Sequence, residues 1–260
     1  VDEFKTVLED GNIGKIGHNN KFDVLMLKWY GLEGKGPLFD TMLAHYVLDP
    51  DTRHNMDVMS ENYLGYSPVS ITELIGPKGK AQGSMRDVEF EKIKEYAAED
   101  ADITLQLHDV FQPKVKQAEA EKLINDIECP LIYVLADMEY EGVRIDHNTL
   151  AEFSKELVGD IAKLERTVSD KAGVRFNIAS PKQLGEVLFE KLMLDPKAKK
   201  TKTGQYQTGE DVLLALASKS DIVRDILDYR QLQKLKSTYV DALPQMVSPK
   251  TGRVHTSYNQ

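Results

Sequence analysis

A single cysteine in 260 residues rules out a disulfide framework, and with it any cysteine-rich zinc site. Cys129 is expected to serve as a small buried apolar residue, consistent with a reducing cytoplasm. No apolar run approaches the roughly 20 residues that span a bilayer, and residues 1–10 lack the apolar centre of a signal peptide, so neither a membrane nor export is expected. The Gly- and Lys-rich stretch 76–83 reads as a loop, and it holds no GxxxxGK phosphate cradle. Positive charge is also in deficit: 33 Lys and Arg against 42 Asp and Glu leave a net charge of -9. That balance weighs against a polyanionic partner, because non-specific affinity for nucleic acid comes from cations that displace counterions. The distribution weighs the other way. Acidic residues crowd 87–128, whereas Lys197, Lys199, Lys200 and Lys202 form one basic cluster and Arg230, Lys234 and Lys236 another. Such clusters are either solvated faces or a positive stripe.

What is present is enough apolar matter, 41% of the chain, to bury a core at a length where one core commonly divides in two. Short strands at 15–17 and 38–40 alternate with helices at 1–8, 22–30, 41–48 and 55–64, the pattern of an α/β layer. A long acidic helix follows over 86–111, with Phe90, Ile93, Ala97, Ile103, Leu107 and Phe111 on its apolar side. Beyond the stretch 112–130, where the boundary is expected, the character turns helical. Residues 129–140 form an apolar helix, 141–146 a turn with a short strand, and 148–172 an amphipathic helix ended by Gly173. Ser180-Pro181 opens a helix to about 192 with a good cap and proline at its first position. Residues 195–208 are basic and turn-rich, and 210–217 with 222–246 make a helical hairpin.

Within the acidic helix Tyr96 and Asp100 stand one turn apart, so a phenol and a carboxylate share a surface. A carboxylate there can ligate a hard divalent cation, and a tyrosine hydroxyl can orient water beside it. Asp23, just after the first strand, can supply a second oxygen ligand from another element. Taken alone, the pair reads rather as a half-buried ring and a solvated charge. His18, a lone histidine without spaced partners, reads as a hydrogen-bonded structural residue. Tyr229 and Tyr239, at helical spacing, read as core.

Longer strings shift that balance. Gly17-His18-Asn19-Asn20-Lys21-Phe22-Asp23 resembles the second exonuclease motif of the bacterial family A DNA polymerases, and Tyr96-Ala97-Ala98-Glu99-Asp100 resembles the third. The resemblance continues through Phe39-Asp40-Thr41-Met42-Leu43, Ser180-Pro181-Lys182-Gln183-Leu184, Lys234-Leu235-Lys236-Ser237-Thr238-Tyr239 and the run from Pro249 to Gln260. It implies an α/β fold, an incomplete ribonuclease H-like 3'-5' exonuclease domain over 1–115, followed by a mostly α-helical thumb over 116–248 and the start of a palm strand over 249–260. The family's first exonuclease motif, an Asp-x-Glu, is expected upstream of Val1, and its polymerising residues beyond Gln260.

By that resemblance Asp23 and Asp100 are metal ligands for magnesium or manganese in the full-length enzyme, and Tyr96 orients the attacking water. With half of that cage elsewhere, no metal and negligible exonuclease activity are expected of these residues alone. Asn19 would touch the substrate strand. In the thumb, Asn177, Ser180 and Gln183 would meet phosphates at a helix start, Lys200, Lys202 and Thr203 would form a tip, and Arg230, Lys234, Ser237 and Thr238 a supporting helix. The family frequently carries Gln at position 18 and Tyr at 22, where this chain has His18 and Phe22. It often carries Ser-Thr-Ser where Gln207-Thr208-Gly209 stand, which weakens hydroxyl contacts there. Expected partners are a primer-template duplex and a single-stranded 3' end, with deoxynucleotides only in the full-length parent, in a bacterial cytoplasm at the nucleoid. The alternatives are a stand-alone 3'-5' exonuclease of the ribonuclease D kind and a catalytically inactive DNA-binding scaffold.

Overall fold

Lys15–Gly17 (β1) pairs in parallel with Leu38–Asp40 (β2), in the register Ile16 to Phe39. Parallel strands need a crossover, and Asn20–Trp29 (α1) supplies it. In the computed structural model, which describes residues 2–260, this βαβ unit sits in the first of two compact units, residues 1–142 with 256–260; residues 143–255 form the second. Of the helix expected over 1–8, Lys5–Leu8 is α-helical after a 3-10 turn at Asp2–Phe4, and Val1 lies outside the described residues.

In the first unit, Thr41–Leu48 (α2) follows β2 directly, and Met56–Met59 (α3) runs on as a π-helical turn, Ser60–Leu64. The acidic helix is Phe90–Gln117 (α4), later at both ends than its sequence suggests. Phe90, expected on its apolar side, is 73% exposed at the first position. At the other end α4 runs through Pro113. Proline there removes one donor from the ladder, but Phe111 and Val115 on either side are both buried and hold the last turns against the core. Cys129–Glu141 (α5) packs on α1 through Val24, Ile132 and Ala136, with Leu43 of α2 in the same cluster. Cys129 is buried, as expected, and burial pushes its thiol up to about 11.

At the centre of the first unit His45 is 1% exposed. Its Nδ1 lies 2.8 Å from Nδ1 of His54, its Nε2 lies 3.2 Å from the Tyr63 hydroxyl, and its ring stacks on Phe111. Burial first, and His54 second, hold His45 below the usual imidazole value. The unfolded chain therefore takes up a proton before the folded one as pH falls, and stability drops below pH about 6.5. The denaturant midpoint of the first unit is expected to be lower at pH 5 than at pH 8, and His45→Gln should flatten that difference; an equal slope in the variant contradicts this account.

The second unit is helical, as its sequence suggests. His147–Ala172 (α6) is capped by Asp146, whose side chain accepts from Asn148 and Thr149, and ends at Gly173, φ +62°. Pro181–Gly185 (α7), which continues as a π turn through Lys191, Glu210–Ala217 (α8) and Asp221–Lys234 (α9) pack on it around Leu157, Leu184, Leu188, Leu213 and Ile226. The helix expected to run unbroken over 222–246 instead passes into a π turn, Leu235–Val240, and a 3-10 turn, Leu243–Met246. Tyr229 is core and bonds Glu165, but Tyr239 on the π turn is 50% exposed, against the expectation of burial. Among the described residues no helix is long and apolar enough to cross a membrane.

Candidate active site and nucleic-acid interface

The turn from β1 into α1 is built so that Asp23 comes to rest at the mouth of a cleft. A Cβ at Gly17 would stand 2.0 Å from Oδ1 of Asn20, so any other residue there would displace the Asn20 side chain. Asn19 takes a left-handed conformation, φ +63°, which asparagine tolerates better than most residues. Asn20 then turns inward and donates to the Phe39 carbonyl at 3.1 Å, tying the turn to β2. Asp23 follows in the first turn of α1.

Asp23 and Asp100 line one cleft together with His18, Met56, Ala101 and Thr104. In sequence β2, α2 and α3 all lie between them, and the fold brings them together. Tyr96 stands one turn before Asp100 on α4, near enough for each to bear on the other's protonation. The electrostatics share one cause. Desolvation, then the carboxylate of Asp40, raises Asp23 above the usual carboxylate range. Desolvation also raises Asp100 against the opposing effect of the Tyr96 phenol, with Glu99 and Asp57 adding to the rise. Burial, then Asp100, pushes Tyr96 up to about 12, so it remains a neutral phenol at physiological pH. Among the described residues no lysine or arginine lines the cleft. Carboxylates converging without a lining cation suit a hard divalent ion in kind, through oxygen donors. They do not suit it in number: among the described residues no group of three His, Cys, Asp or Glu is placed to hold a metal. His18 gives its Nδ1 to Thr41 Oγ1 at 3.0 Å, the structural use its sequence context suggests.

Not every candidate joins this cleft. Asn19 lines another one with Lys21, Phe22, Glu139 and residues 257–260. Two residues that sequence inspection passes over belong to the surroundings of the first cleft: Asp57, whose charge bears on His18, Tyr96 and Asp100, and Asp40. Asp40 had a legible signal, an aspartate directly before the apolar helix Thr41–Leu48, which is the N-cap pattern.

In the second unit the proposed phosphate contacts divide into two kinds. Some are engaged by the protein itself. Asn177 accepts from Ala179 N at 2.9 Å and donates its own N–H to Gln183 Oε1 at 2.7 Å, while Ser180 caps α7. Arg230, held below its usual value by desolvation, donates to the Thr208 carbonyl at 2.5 Å. Ser237 donates to Gln233 O at 2.8 Å, Thr203 exchanges a bond with Thr201, and Lys200 lies 4.3 Å over the Tyr206 ring. The others, Lys202, Lys234 and Thr238, present themselves to solvent.

Residues 1–116 match the family model described as 3'-5' exonuclease, and residues 147–260 match the one described as DNA polymerase family A. Over most of its length the chain is similar to the family A DNA polymerases. Family A relatives cover it end to end. It is 46% identical to DNA polymerase I of Rhizobium leguminosarum over all of this chain and 25% of that protein, and 42% identical to that of Pseudomonas aeruginosa over 98% and 28%. The chain thus spans about a quarter of the length of these relatives. A solved family A structure, the POL domain of Pol1 from M. smegmatis in complex with DNA primer-template and dNTP, superposes with a TM-score of 0.76 at 27% identity, covering all of this chain and 41% of that one. The likeness supports an exonuclease-type α/β unit followed by a mostly helical one. Family A polymerases and their exonucleases generally use divalent metal ions.

Proposed function

We propose that this chain is the stretch of a bacterial DNA polymerase I in which a proofreading 3'-5' exonuclease domain passes into the thumb that grips primer-template duplex. The parent activity is template-directed DNA synthesis in replication and repair, with deoxynucleotides as its further substrates, in the cytoplasm at the nucleoid. The observation that carries this reading is the single cleft lined by Asp23 and Asp100 with Tyr96 beside it, in a chain that runs on into the family's polymerase model. Residues 1–115 are assigned to the exonuclease domain, 116–248 to the thumb and 249–260 to the first strand of the palm.

In the parent, Asp23 and Asp100 would hold magnesium or manganese together with further carboxylates. Such ions, when bound, would supply an acidic water and charge stabilisation for the departing oxygen. The chain's own residues do the rest. Tyr96 stands one turn from Asp100, and its phenol, protonated throughout the physiological range, is available to orient a water without titrating. Tyr96→Phe in the parent is expected to slow 3'-5' hydrolysis about 10²-fold, the lower range for a positioned proton-handling group. Asp100→Ala should reduce it to background. The 260 residues alone, with two carboxylates in the cleft, are expected to show no metal-dependent turnover; turnover that Asp100→Ala abolishes overturns that.

The second unit holds duplex through phosphates, without regard to sequence. Lys202 and Lys234 carry this role, with Thr238 beside Lys234, whereas Asn177, Ser180, Gln183, Arg230 and Ser237 shape the surface that presents them. Lys200 and Thr203 complete the tip. The Lys202→Ala, Lys234→Ala variant is expected to weaken binding to all duplexes alike and to flatten the slope of log affinity against log salt by about 2. A loss confined to particular sequences contradicts the assignment.

A further inference from the structure

The carboxylate of Asp40 is 1% exposed and accepts four backbone N–H groups, two from each of two helix starts. Oδ1 takes Met42 N at 2.9 Å and Leu43 N at 3.2 Å, the ordinary duty of an N-cap for α2. The same side chain takes Asn19 N at 3.2 Å through Oδ1 and Asn20 N at 2.6 Å through Oδ2, where the chain turns into α1. The starts of α1 and α2 are stitched further by Thr41, whose Oγ1 donates to the Gly17 carbonyl at 3.2 Å and meets His18 Nδ1, and by the Asn20 bond to Phe39 O.

An N-cap needs one oxygen and one helix. Here an ionised carboxylate serves two, and the second is the helix whose first turn carries Asp23. Charge-assisted bonds to backbone N–H are about twice as strong as neutral ones, and in a buried site four of them define a position closely. We propose that Asp40 is a positioning residue of the exonuclease site: by bridging the starts of α1 and α2 it fixes where Asp23 stands in the cleft it shares with Asp100. This deepens the function proposed above and rests on it.

Asn at position 40 separates this role from that of a plain cap. Asparagine caps a helix as well as aspartate does, so its oxygen can keep Met42 and Leu43. Its amide nitrogen, standing where Oδ2 was, is a donor, however, and would face the N–H of Asn20 with nothing to accept it, while Asn19 keeps the oxygen it shares with Met42 and Leu43. In the 260-residue chain, Asp40→Asn is expected to speed amide exchange at Asn20 at least about tenfold while leaving Asn19, Met42 and Leu43 within a factor of about two. In the whole polymerase the same variant should lower kcat for 3'-5' hydrolysis about 10²-fold, as a misplacement of about 1 Å does, with KM for single-stranded DNA and polymerisation by the same molecules unchanged. Asp40→Ser, a second competent cap that lacks Oδ2, should behave likewise, so a folding failure of one variant does not leave the question open.

Equal acceleration at all four amides, or polymerisation falling together with hydrolysis, makes Asp40 an ordinary structural residue and overturns the proposal. So does hydrolysis at the unaltered rate. The amide measurement needs no activity. If Asp100→Ala left hydrolysis untouched, the exonuclease assignment would fall while the bridging of the two helices was still decided.

Discussion

Replacing Lys21 by methionine is expected to destabilise the first unit by about 3 kcal/mol, because it takes away the cation that a buried carboxylate faces. The ammonium of Lys21 stands 2.6 Å from Glu139 Oε1, with side-chain exposures of 13% and 5%. Lys21 also donates to the carbonyl of Tyr258, and Glu139 accepts the N–H of the same residue at 2.8 Å. Two side chains thus read both main-chain groups of one residue in the segment 256–260, and Gln260 adds bonds to Glu128 further along. Removing the lysine leaves Glu139 its main-chain donor but takes the ammonium away, and such a loss costs far more than the pair contributes. For a unit of this size the melting temperature should fall by about 10 °C. The double variant Lys21→Met, Glu139→Leu is expected to recover only part of that: the unpaired charge is gone, but the main-chain groups of Tyr258 lose both side-chain partners. A double variant as unstable as the single one would show that the charges themselves hold the segment.

The regular elements are written in local sequence. Both strands and α2 are where alternation and turn residues put them, and Gly173 and Ser180-Pro181 mark helix ends by their own backbone preferences. The candidate site was legible to the extent that it lies within one element: Tyr96 and Asp100 are one helical turn apart in any helix. Bringing Asp23 to the same cleft required the resemblance to a family, since nothing in residues 24–95 states where α1 packs. What could not be read are the long-range polar choices. Glu139 lies 118 positions from Lys21, and no periodicity pairs them. Arg230 looks like any helix-face cation until Thr208 is seen to take its guanidinium. The errors at α4 have the same origin. Composition favours stopping at Pro113 and burying Phe90, but tertiary packing of Phe111 and Val115 extends the helix one way, and no described element covers its first residue.

Those two phenylalanines on α4 make the sharpest contrast in the molecule. Phe111 is fully buried, its ring 4.9 Å from Tyr63 edge-on and 5.4 Å from His45 in a stack, among Ala44, Met59, Leu107 and Cys129. Phe111→Ala is expected to cost about 3–5 kcal/mol, the transfer term plus the cavity that aromatic neighbours cannot collapse to fill. Phe90→Ala, on the same helix, should fall within about 0.5 kcal/mol of the parent chain. The cavity also borders His45, so water admitted beside that imidazole removes the main cause of its lowered affinity for protons. Phe111→Ala should therefore be less stable at every pH and at the same time lose part of the acid sensitivity expected of the first unit. Urea unfolding of both variants at pH 8 and pH 5 tests the two effects together. A variant that loses stability but keeps the full pH dependence would show that His54, rather than burial under Phe111, sets the protonation of His45.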